Sequence, residues 1–119
     1  MNCEPCISTL TGTVLNLKPD EIIIDVCNYY NENIDLVLSK RRDLNLVTIR
    51  HKIFDLLYSN FDNKLSLKVI GELLGNRDHS TVINGIKCVK TYCQVYADYR
   101  FEYQKLHIKI YGSLKYFKH

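Results

Sequence analysis

A tight turn between two helical stretches constrains this chain more than any other feature. From Ser66 to Leu74, the residues Leu67, Ile70 and Leu74 fall three and four apart on one helical face, and Ser66 stands where an N-cap belongs. Gly75 ends that helix, because a glycine just past a helix end tolerates the left-handed backbone of a sharp reversal. Asp78 is then placed to cap the following helix through the free amides of its first turn. Two helices joined this closely predict a helix-turn-helix, with Asp78, His79, Ser80 and Thr81 at the tip of its second helix. These short donors and acceptors suit base edges in a DNA groove. A solvated helix start that needs only capping would use the same residues.

The length of 119 residues supplies one core and not two. Hydrophobic residues make up 46% of the chain, yet no run approaches the roughly 18 apolar residues of a membrane span. Met1 to Cys6 lacks the basic start and apolar run of a secretory signal, so a cytoplasmic location is expected. Five cysteines, an odd number and partly on helix faces (Cys27, Cys93), predict reduced thiols rather than a disulfide framework. Cys3 and Cys6 form one Cys-x-x-Cys with no second pair, which leaves two neighbouring thiols and no expected metal site.

Charge is unevenly spread. Residues 1–39 hold Lys18 against six acids, 1 − 6 = −5, so residues 40–119 carry 15 − 7 = +8, beginning at Lys40-Arg41-Arg42. Such a basic part suits a nucleic-acid face, although a solvated basic surface has the same composition.

Residues 1–18 read as an irregular arm. Pro19-Asp20 opens a helix to about Tyr30, with Ile23, Val26, Cys27 and Tyr30 on one stripe. Asn33 caps a short helical piece, Ile34 to Leu38, before the basic loop. A helix follows from Asp43 to about Asn60, with Leu46, Ile49, Ile53, Leu56 and Leu57 inward and Arg50, His51 and Lys52 beside them. After Thr81 the pattern Val82, Ile86, Val89, Cys93, Tyr96 continues through Tyr99, Tyr103, Leu106 and Ile110 as one long helix without proline. Gly85 within it weakens the helix but lets another backbone approach. Tyr92, Tyr96, Tyr99 and Tyr103 suit a core or a partner's seam better than base stacking, and so long a stripe leaves a dimeric contact open.

Three pieces in order, Val26-Cys27-Asn28-Tyr29-Tyr30, Leu38-Ser39-Lys40-Arg41-Arg42 and Gly75-Asn76-Arg77-Asp78-His79-Ser80-Thr81-Val82, resemble the C-terminal DNA-binding domain of the bacterial replication initiator DnaA. The resemblance covers about residues 20 to 97. It implies an all-α helix-turn-helix bundle with a long C-terminal helix, divided as arm 1–18, DNA-binding domain 19–97 and helical extension 98–119. It also implies binding to short asymmetric boxes of double-stranded DNA. By position, Arg42 is expected to read the minor groove, and Asp78, His79 and Ser80 to contact bases. Arg50, His51, Thr81 and Asn84 are expected at the phosphate backbone, with Lys40, Arg41, Arg77 and Lys87 as further backbone contacts. Leu44 and Thr48 stand where many relatives add arginines, Gly85 replaces a small side chain that touches a thymine methyl, and the loop at Phe61 and Asp62 is about two residues longer.

No G-x-x-x-x-G-K-S/T loop occurs in the 119 residues, so no nucleotide cofactor or ATPase module is expected. No nucleophile, base and orienting group assemble, which predicts recognition without catalysis, metal or membrane. The alternative is a protein-interaction scaffold, binding a partner or itself through the tyrosine-rich C-terminal helix.

Overall fold

Local chemistry sets where each helix begins. In the computed structural model, which describes residues 18–60 and 65–112, there are six helices and no strand among the described residues: α1 (Pro19–Tyr29), α2 (Ile34–Leu38), α3 (Leu44–Asn60), α4 (Leu67–Leu73), α5 (His79–Val95) and α6 (Ala97–Tyr111). The Lys18 amide donates to Glu21 in the first turn of α1, which Pro19 opens. Asn33 caps α2 by accepting from the Asp35 amide at 2.7 Å, and Ser66 caps α4 by accepting from the Val69 amide at 3.2 Å. Between α1 and α2 the backbone of Asn31 turns left-handed at φ 54°, and the Glu32 amide returns to the Cys27 carbonyl.

α3 is the central element, packed by α1, α2, α4 and α5. Its expected stripe of Leu46, Ile49, Ile53, Leu56 and Leu57 is buried, and being covered on several sides it buries Phe54 as well. Cys27 and Cys93 are buried free thiols in the same core, each raised to about 11 chiefly by burial. Cys3 and Cys6, the arm, and the loop at Phe61 and Asp62 lie outside the described residues.

One expectation is overturned. The long helix is not continuous: Tyr96 is extended (φ −114°, ψ 111°) and ends α5 as it begins α6. The break folds α6 back, so that Tyr103, Leu106 and Ile110 join the core that α1 and α3 share. A straight helix would leave those side chains in water, at about 1.5–3 kcal/mol each, which outweighs the few hydrogen bonds lost at one break. Arg100 offsets part of even that loss, donating to the Cys93 carbonyl at 3.0 Å. The four tyrosines accordingly divide, with Tyr103 buried, Tyr99 half-buried, and Tyr92 and Tyr96 exposed.

Polar groups tie α6 down. Tyr103 donates to Asp55 at 2.6 Å, Tyr111 donates to the Leu56 carbonyl at 3.3 Å, and Glu102 receives both Lys52 and the Tyr30 hydroxyl. The Lys52 ammonium also sits 5.0 and 4.8 Å from the rings of Tyr30 and Tyr99. Residues 98–112, read from sequence as an extension, thus contribute to the same core as the rest.

Candidate nucleic-acid interface

The turn between α4 and α5 is built by two consecutive left-handed residues, Gly75 at φ 91° and Asn76 at φ 59°. Gly75 serves a second need: a Cβ there would run into the carbonyl of Leu38, so the turn packs directly on the end of α2. Gly71, which sequence reasoning passed over, does the same one turn earlier. The Arg77 amide donates to its carbonyl at 2.8 Å, and a Cβ would collide with the Arg77 carbonyl. A glycine inside a seven-residue helix was the available signal.

Asp78 caps α5, its Oδ1 accepting from the Thr81 amide at 3.0 Å and from the Thr81 hydroxyl at 2.8 Å. Those two bonds hold its carboxyl below the usual aspartate value. His79, Ser80, Thr81, Asn84 and Lys87 are exposed along the same helix, while Val82, Gly85, Val89 and Cys93 face the core.

The basic loop lies beside this helix tip. Arg42 is exposed, Arg41 pairs with Asp43 at 2.8 Å, and Lys40 donates to the Gly75 carbonyl at 2.7 Å. One cleft of about 280 Å³ is lined by Lys40, Arg41, Arg42, Arg50 and Arg77 together with Thr81. Loop and helix tip therefore open onto the same concavity, and five cations surround it.

Two of these cations, expected at the phosphate backbone, also bond the protein's own carbonyls. Arg50 is only 4% exposed; its Nε donates to the Val37 carbonyl at 2.6 Å and its Nη2 to the carbonyls of Leu36 and Ser39. Arg77 is half-buried and donates to the carbonyls of Leu74 and Ser39. Carbonyls at the ends of α2 and α4 lack helical partners, and the two guanidiniums supply them. Burial lowers the pKa of both, but an arginine stays cationic at neutral pH. Ser39 is the hub, accepting from both arginines through its carbonyl while its hydroxyl donates to the Leu36 carbonyl. His51 is half-buried, and burial, with Arg50 beside it, pulls its pKa down, which favours the neutral ring.

Gly85 also departs from expectation. It is buried, and its missing Cβ points at side chains of α3 rather than at another backbone or at solvent: a methyl would lie 2.7 Å from Phe54 Cδ2 and 2.8 Å from His51 Cδ2.

A bundle whose turn, capped helix tip and flanking basic loop are locked together in this way defines a helix-turn-helix domain. The model of the bacterial dnaA protein helix-turn-helix matches residues 19–89. The chromosomal replication initiator protein DnaA of Neisseria meningitidis is 37% identical over 91 residues, covering 76% of this chain and 17% of that protein. Those of Bacteroides fragilis (30% over 87 residues, 73% and 18%) and Roseiflexus castenholzii (38% over 69 residues, 58% and 14%) are similar. This chain belongs to the bacterial DnaA helix-turn-helix family, a DNA-binding domain. It spans less than a fifth of the length of these relatives. No helix among the described residues is long and apolar enough to cross a membrane.

Proposed function

We propose that this domain binds short double-stranded DNA boxes in a sequence-specific way, acting by recognition without catalysis and without hydrolysing ATP through these 119 residues. The observation behind this reading is the shared cleft: Thr81, in the first turn of α5, lines the same concavity as Arg42, and His79 and Ser80 stand exposed just before it on the helix tip. A helix tip of this kind enters a major groove, and an arginine beside it reaches the adjacent minor groove, whose negative potential favours guanidinium.

Asp78, His79 and Ser80 face base edges, with Asp78 suited to a cytosine amine and Ser80 to several edges. Lys40, Arg41, His51, Thr81, Asn84 and Lys87 hold the phosphate backbone. Arg50 and Arg77 add to the positive field of the cleft from beneath. They act chiefly as positioning residues, fixing the loop that presents Arg42. In a cell such a module would serve an origin or a regulatory box.

Selection of bound duplexes from a random pool, followed by titration of the selected box against a scrambled one, tests the proposal. Enrichment of a single short asymmetric box is expected. Equal affinity for both duplexes would remove the claim of sequence specificity, and no binding at 50 mM salt would remove the DNA reading altogether.

A further inference from the structure

The core face of α6 is occupied by Tyr103, Leu106, His107, Ile110 and Tyr111, so the opposite face presents Ala97, Asp98, Phe101, Lys105, Ile108 and Lys109. At its centre Phe101 is 59% exposed and Ile108 49%, seven residues and two turns apart, forming an apolar line. Isolated exposed apolar side chains are ordinary. Phe101 and Ile108 share one otherwise polar face of one helix, which gives them a common contact surface.

We infer that this face of α6 receives a second copy of the same chain, packed antiparallel. Charge along the helix selects that occupant. The acid Asp98 stands one turn into α6 and the cation Lys109 stands in its last turn, on the same flank of the apolar line. Antiparallel helices related by a twofold axis bring the same flank together in opposite directions. Asp98 of each copy then meets Lys109 of the other, and Phe101 lies beside Ile108. A parallel twofold pair would turn this flank towards the partner's opposite flank, and Asp98 would not meet Lys109. Lys105 falls near the twofold axis, one repulsion against two attractions. A DNA duplex on this face would leave Phe101 and Ile108 against charged phosphates. The seam is small: 15 residues make a helix about 22 Å long, which buries on the order of 1,000 Å² in total. Contacts of that size are weak, so the dimer is expected to dissociate on the order of 100 µM.

Sedimentation velocity of the full chain from about 10 µM to 1 mM, without DNA, tests this independently of the DNA reading. The expected result is a monomer at the low end moving towards a dimer. Asp98→Lys and Lys109→Asp should each weaken association about tenfold, whereas an equimolar mixture of the two restores it as a mixed dimer. Phe101→Glu should abolish association and Lys105→Gln should tighten it. All four positions are exposed, and unchanged circular dichroism and melting temperature verify the fold. A monomer throughout the range overturns the inference. So does self-association that ignores these substitutions, which would mean another surface, or a mixture no better than either variant alone.

Discussion

The Asp78 carboxylate accepts from both the amide and the hydroxyl of Thr81, and that pairing makes the cap sensitive to acid. Its folded-state pKa lies below the unfolded value of 3.8, so the cap's contribution is complete above that value and is lost as pH falls through the lower one. Melting followed from pH 6 down to about 2 should therefore show a steeper loss of stability in the wild type than in Asp78→Asn, whose amide oxygen still accepts from Thr81 but does not titrate. His79 and Arg42 have no such structural duty, being exposed and making no side-chain hydrogen bond among the described residues. Substituting either with alanine should leave the melting temperature within a degree or two while costing about 1–3 kcal/mol on the selected box and relaxing preference at the base it reads. Equal losses on selected and scrambled duplex would assign them to phosphate contact alone.

Helix starts were legible because their causes are local: Asn33, Ser66 and Asp78 each cap through bonds reaching only two or three residues ahead. The end of α5 was not legible. Neither glycine nor proline marks Tyr96, and the break is imposed by distant partners, Asp55 for Tyr103 and Leu56 for Tyr111. The cleft was half legible: the order of the basic loop and the helix tip announced it, but sequence gives the charge of Arg50 and Arg77 without saying which carbonyls they satisfy. Glycines separate on the same physical ground. Gly85→Ala gains about 1 kcal/mol of helix propensity and loses about 1–3 to overpacking against the rings of Phe54 and His51, which yield by rotation. Gly71→Ala meets a backbone carbonyl that yields only if the turn moves. Thermal unfolding should show a small net loss for the first and a larger one for the second, with DNA affinity falling in the second as well.

Taken together, the helices are expected to unfold as one unit, since α6 supplies Tyr103, Leu106 and Ile110 to the core of α1 and α3. Ending the chain after Tyr96 removes about 1.5–3 kcal/mol for each of these side chains and takes the Tyr103 donor from buried Asp55. Set against a total stability of about 5–15 kcal/mol, that loss predicts no cooperative melting transition in the shortened chain. Binding should follow the charge of the whole cleft: with about five phosphates neutralised, affinity falls roughly 10² to 10³-fold between 50 and 200 mM salt, a slope that titration at four salt concentrations would measure. The tethers from Arg50, Arg77 and Lys40 across Leu36, Val37, Ser39, Leu74 and Gly75 make the basic loop and the tip of α5 behave as a caliper set before any duplex arrives. A caliper does not stretch. One extra base pair between the minor-groove and major-groove determinants, a displacement of about 3.4 Å along the helix axis, would be refused at one jaw or the other, so spacing within the box becomes as much a part of its identity as the bases themselves.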